Sequence, residues 1–97
     1  MKVPLRWTER AVTDLAGVAE FISRTSAVYA ESLVRRIDYR LGFLCEHPRM
    51  GKPAPEAADL QVRELVVESY RIFYRPHPEA IELLAIVHER QPLPDDL

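Results

Sequence analysis

Between Ala30 and Cys45 the apolar residues Ala30, Leu33, Val34, Ile37, Leu41, Leu44 and Cys45 recur at intervals of three and four. That spacing is one face of a helix. It stops before Pro48, whose ring disfavours helical geometry at His47. Beyond a proline- and glycine-containing stretch, PRMGKPAPEAAD, the pattern changes to runs of β-branched and aromatic residues. The chain therefore carries both a helical and a strand pattern. It must lay a helical face on a sheet.

The remaining elements follow from local chemistry. Val3–Trp7 is a short β-type run. Thr8 is a helix cap with Glu9 in the first turn, and Ala11, Leu15, Val18, Ala19 and Ile22 fall at helical spacing, which predicts a helix over 8–23. Ser26 caps the second helix after a link too short for anything but an antiparallel hairpin. Residues 48–59 read as loop. Val62–Val67, Tyr70–Arg75 and Ala80–His88 read as strands joined by Glu68-Ser69 and by a turn over 76–79. Connections this short make a meander. The prediction is an α+β fold of order β-α-α-β-β-β. A helical hairpin packs on one face of a mainly antiparallel sheet, and the other face, or a groove at its edge, is left for function. The proline-bearing tail QPLPDDL does not extend the last strand.

Ninety-seven residues support one core, so 1–97 reads as a single domain whose modest burial invites help from a partner or a dimer. The single Cys45 excludes an internal disulfide and sits on the helical stripe, where a thiol acts as a small hydrophobe; this fits a reducing cytoplasm. MKVPLRWTERAV lacks the apolar stretch of a signal peptide, and no run approaches a bilayer span. Cys45, His47, His77 and His88 show no ligand spacing, so neither a metal nor a cofactor is expected. Gly51-Lys52-Pro53 lacks the flanking residues of a phosphate-binding loop.

The ordered segments WTERAVTDLAGVAEFI, LCEHPRMGKPAPE, VRELVVESYRIFYRP and IELLAIVHERQ span nearly the whole chain. Together they resemble the RelE/ParE toxin superfamily of bacterial type II toxin–antitoxin systems, and within it the ParE branch. The resemblance implies a cytoplasmic toxin neutralised, in a hetero-oligomer, by a small antitoxin, here ParD-like. It further implies one of two targets. ParE-like members are associated with poisoning DNA gyrase, and RelE-like members cut messenger RNA on the ribosome. One fold carries both, so the fold alone does not choose.

RNA cleavage through the 2′-hydroxyl needs a base, an acid and cations for the phosphate. If the chain is a nuclease, His88, Arg71 and Arg63 are the candidates. The competing reading makes Arg63, Arg71, Arg75 and Arg90 protein-contacting side chains that meet antitoxin carboxylates. Tyr70 and Tyr74 alternate with Ile72 and read as half-buried core residues, His47 as a helix end, and His77 as an exposed turn. Several features weigh against cleavage. A nuclease subgroup of the family places an acidic general base where this chain has Ala54, with Glu56 the nearest carboxylate; the same subgroup follows its strand-end His with Tyr, where this chain has Glu89. Only Lys2 and Lys52 are lysines, and the net charge is −2, without the basic balance of a protein that grips phosphate. The reading is a non-catalytic gyrase inhibitor that does not itself bind DNA. The alternative is a RelE-like ribosome-dependent endoribonuclease, and a third reading is a toxin-like fold kept only for complex formation.

Overall fold

In the computed structural model, which describes residues 2–94, two helices pack on one face of a five-stranded sheet. The end of the proline-bearing tail, 95–97, lies outside the described residues. The elements are β1 (Leu5–Trp7), α1 (Glu9–Ser23), α2 (Ala27–Leu44), β2 (Lys52–Pro53), β3 (Arg63–Val67), β4 (Tyr70–Pro76) and β5 (Ile81–His88). Sheet order is β1-β5-β4-β3-β2. The meander β3-β4-β5 is antiparallel, as its short connections require, and β1 pairs in parallel with β5. The expected α+β architecture is present.

Both predicted caps form. Thr8 accepts from the Ala11 amide at 3.1 Å and Ser26 from the Tyr29 amide at 3.1 Å. The Thr8 hydroxyl also donates to the Leu83 carbonyl at 2.7 Å, so the cap fixes the start of α1 to β5. Farther along, Asp14 accepts from the Ile86 amide at 2.9 Å. α1 thus takes over the β5 edge where the three-residue β1 runs out.

The α2 stripe is the centre of the main core. Leu33, Ile37, Leu41 and Leu44 are fully buried against Leu65, Ile72, Tyr74, Leu83 and Ile86. On α1, by contrast, only Ala11 is fully buried; Leu15, Val18 and Ile22 are half-covered. The first helix leans on the rim of the core and the second sits over its middle.

Three expectations need correction. The stretch 48–59 is not plain loop: Lys52–Pro53 pairs with β3, and residues 55–60 form two 3₁₀ turns that meet at Ala57. The sheet face away from the helices is not free. Ala54, Ala57, Val62, Phe73, Leu84, Ala85 and Val87 make a second, smaller core there, with Leu93 packed against it. Tyr74 is not half-buried but fully enclosed. A β-bulge explains part of this arrangement. Phe73 faces Ala85 and Tyr74 faces Leu83, so Leu84 is one residue too many in β5. The extra residue lets Leu84 and Ala85 both serve the smaller core, while Leu83 and Ile86 serve the larger one.

Candidate partner-binding site

The polar cluster divides between the two faces of the sheet. Paired residues on neighbouring strands point the same way. Val66, Arg71 and Val87 share one row, as do Glu64, Phe73 and Ala85, and both rows face away from the helices. Val67, Tyr70 and His88 form a row on the helix side, and Arg63, Tyr74 and Leu83 form another. Arg71 therefore lies on the opposite face from His88 and Arg63. The three candidate nuclease residues are not brought together.

Arg71 is the centre of the far face. Its side chain is 13% exposed. Nε donates to Glu64 at 2.6 Å, Nη2 to Glu56 at 2.8 Å and Nη1 to the Gln91 carbonyl at 2.8 Å, and the guanidinium lies 4.7 Å from the centre of the Phe73 ring. Glu64, 4% exposed, is the one charged residue buried among the described residues, and Lys52 approaches it at 3.6 Å. Glu56 also accepts from the Leu93 amide at 3.0 Å. The Arg71 hydrogen bond holds the Glu56 carboxyl down at about 2, against the opposing effect of burial, with the Leu93 amide adding to the lowering. Arg71 is raised in turn, first by Glu56 and then by Glu64. One guanidinium thus joins the 55–60 segment, β3, β4 and the turn after β5.

Ala54, at the position where the nuclease subgroup carries its base, is 0% exposed and belongs to the smaller core. Arg63 is committed differently: Nε and Nη2 donate to the Gly51 carbonyl, and Nη2 also donates to the Arg49 carbonyl at 3.1 Å. This anchors the 49–51 turn beside Tyr74, whose hydroxyl donates to the Pro48 carbonyl and accepts from the Gly51 amide, both at 2.9 Å. Gly51 is obligatory on steric grounds, because a Cβ there would sit 2.4 Å from the Glu64 carbonyl oxygen. Arg75 donates to the Leu60 carbonyl at 3.2 Å and pairs with Glu82 at 3.4 Å. His47 lies past the end of α2, its amide bonded to the Phe43 carbonyl, and His77 is in the exposed turn with Nε2 2.9 Å from Glu82.

His88 borders a different feature, with Arg90 two residues beyond it. His88 makes an edge-on ring contact with Tyr70 at 5.7 Å, and its Nδ1 accepts from the Arg90 amide at 3.3 Å. The Tyr70 hydroxyl is raised above its ordinary pKa, mainly by burial and secondarily by Tyr29. Beside them runs a groove of about 500 Å³ between α1 and the β4–β5 end of the sheet, with Gly17, Val18, Phe21, Ile86 and His88 along it. Phe21 is 66% exposed, and nothing stands within 4 Å of where a Gly17 side chain would begin. Among the described residues, the Arg90 guanidinium makes no ion pair. Of the four arginines assigned to partner contact, Arg71 and Arg75 are ion-paired and Arg63 is bonded to backbone carbonyls.

Sequence reasoning had not singled out Glu64, Phe21 or Gly17. Glu64 was visible as an acid inside the run RELVV, where alternation offers a polar residue one face or the other but does not say that the face is closed. Among the described residues, no three His, Cys, Asp or Glu side chains converge as a metal site, and no helix is long and apolar enough to cross a membrane.

Comparison with known proteins agrees on the family. Residues 5–93 match the model described as ParE toxin of type II toxin–antitoxin system, parDE. The chain is 32% identical over 95 residues to Y4kP of Sinorhizobium fredii, an inferred toxin by its name, covering 96% of this chain and 95% of that protein. Among solved structures it is similar to a chain of the chromosomal ParDE toxin–antitoxin system from P. aeruginosa. The TM-score is 0.74 and the identity 22%, over 90% of this chain and 96% of that one. It is also similar to a chain of the RelBE2 toxin–antitoxin complex of Mycobacterium tuberculosis, with TM-score 0.64 and 22% identity over 91% and 99% of the two chains. At such identities these two likenesses speak for the fold.

Proposed function

The chain belongs to the ParE toxin family of type II toxin–antitoxin systems, and from that premise we propose that it inhibits DNA gyrase by binding, catalyses no reaction itself, and is neutralised in the cytoplasm by a ParD-like antitoxin. The observation that carries the non-catalytic reading is the state of Arg71. A nuclease needs an uncommitted cation facing the scissile phosphate. Here the guanidinium is neutralised by Glu64 and Glu56, and it lies on the other side of the sheet from His88. The buried Ala54 supports the same reading, because no general base stands at that position.

The antitoxin, on this proposal, lays its carboxy-terminal segment in the groove between α1 and β5. Apolar side chains cover Phe21 and Val18 over the gap at Gly17. An acidic side chain meets Arg90, two residues past His88; Arg75 and Arg63, at the other end of the sheet, are open only to a segment that continues past the groove, and Arg71 keeps the surface in shape. Folding of a disordered segment on such a groove is a common solution for small inhibitors. Reversing the charge in Arg90→Glu should weaken antitoxin binding in titration calorimetry and reduce its salt dependence; unchanged affinity at low salt would locate the antitoxin elsewhere.

The target is tested by inducing the chain without its antitoxin, mapping transcript ends beside a DNA-damage reporter. Gyrase poisoning gives a damage signal, filamentation and intact transcripts. Transcripts cut at ribosomal A-site codons with no damage signal would establish the RelE-like nuclease instead, and His88→Ala would then be the first variant to examine.

A further inference from the structure

At the end of the sheet away from His88, a cleft of about 510 Å³ opens between the 48–53 segment, the Gln61–Arg63 corner and the β4–β5 turn. It shares no residue with the α1–β5 groove. Its charge is unlike that of the chain as a whole. Arg49, Arg63 and His77 line it and no carboxylate does, in a protein whose net charge is −2. Glu82, which reaches His77 from outside the lining, is itself paired with Arg75.

The donors are built to different degrees. Arg63 is fixed by its Nε and Nη2 bonds to the 49–51 carbonyls, which leaves Nη1 without a protein hydrogen bond. Arg49 gives its carbonyl to Arg63, while its exposed guanidinium makes no ion pair among the described residues. Gln61 stands between them with φ of 61°, a left-handed conformation that a non-glycine residue adopts at some cost and that recurs at functional sites. The walls are apolar and stiff: four prolines, among them Pro53 and Pro76, with Val62. Proline has no amide hydrogen to satisfy and presents a rigid ring edge to a flat neighbour.

We propose that this cleft binds a small molecule bearing a phosphate or carboxylate on a flat apolar body, the acid held between Arg49 and Arg63 Nη1 and the body lying on the prolines. The planar guanidinium fork matches the oxygens of a carboxylate or phosphate in charge-assisted hydrogen bonds. The volume suits a ligand of that size. This inference does not rest on the gyrase assignment, and it shares only Arg63 with the antitoxin reading.

The test is an amide NMR titration of the full chain with phenyl phosphate and with benzoate, and with inorganic phosphate and acetate as the acids without the body. The expected result is saturable shifts confined to residues 49–53, 61–63 and 76–78. The aromatic acids should bind more tightly than the bare ones, and the ranking of phosphate against carboxylate identifies the acid. Arg49→Gln, an exposed change that leaves the fold and Tm intact, should lower the affinity about tenfold, which corresponds to about 1.4 kcal/mol. Arg35→Gln, on the exposed face of α2, should not. Absence of saturable shifts, or an equal response in Arg49→Gln and the unaltered chain, overturns the proposal.

Discussion

The two faces of the sheet are closed by different physics. The helix side is closed by aliphatic shape: Leu33, Ile37, Leu41 and Leu44 against Leu65, Ile72 and Leu83, with one tyrosine hydroxyl satisfied at its margin. The far side has less apolar area and smaller residues, three of them alanines, and its closure depends on Arg71 bridging Glu64 and Glu56. Hydrophobic closure is insensitive to pH and only mildly altered by salt, whereas an ion-paired closure depends on every partner keeping its charge. The first face supplies stability; the second supplies a defined position for the 55–60 segment, which no long helix or strand would otherwise hold.

The sharpest way to break this comparison is Arg71→Ala. It leaves Glu64 buried without its closest partner, and removing one member of a buried pair typically costs about 3–5 kcal/mol. The measurement is a denaturant midpoint together with amide exchange over 55–60, which should lose protection before α2 does. A loss spread evenly over both faces would show that the two closures are one cooperative unit. Next is Ile37→Ala on the helix side, expected to cost about 2–5 kcal/mol through lost burial and the cavity left behind. Its loss should be the same at low and neutral pH, and a midpoint equal to that of the unaltered chain would contradict the buried stripe.

Acid alone should separate the faces more gently. Glu56 has a folded pKa of about 2, below its ordinary 4.5. Its carboxylate therefore contributes stability that is fully present above about 4.5 and lost as the pH falls toward about 2, since the unfolded chain takes up the proton first. Hydrogen exchange across that window should report loosening of 55–60 and of the Leu93 contact while the α2 amides stay protected. Glu56→Gln should flatten the dependence; a profile unchanged in that variant would assign it to another group.

The helical stripe and the three long strands were legible because they rest on local periodicity and on caps such as Thr8 and Ser26 that act within one turn. The two-residue β2 was not, because Lys52–Pro53 pairs with β3 beside a turn held by a Gly51–Tyr74 hydrogen bond between residues 23 positions apart. The bulge was equally hidden: IELLAIVH is apolar throughout, so alternation gives no sign that Leu84 is supernumerary. The arginines of the site were identifiable as a set, but their states were not. Arg71 finds its acids 7 and 15 positions away, and Arg63 finds carbonyls 12 and 14 positions away, distances over which sequence pattern carries no information.

The parallel pairing of β1 with β5 has a bearing on biosynthesis. Leu5 lies beside Ile81 and Trp7 beside Leu83, so the first strand made has its neighbour in the last. β5 also stands between β1 and β4, which leaves the growing chain with a helical hairpin and an unfinished sheet until residues 81–88 have been translated. At about 5–20 residues per second this interval lasts seconds, during which the Leu33–Leu44 stripe has only part of its covering surface. A frameshift or stop codon upstream of Ile81 would remove the strand that joins the two ends, and the product would have no route to a complete sheet. Completion of the sheet in such a molecule is tied to synthesis of its last strand.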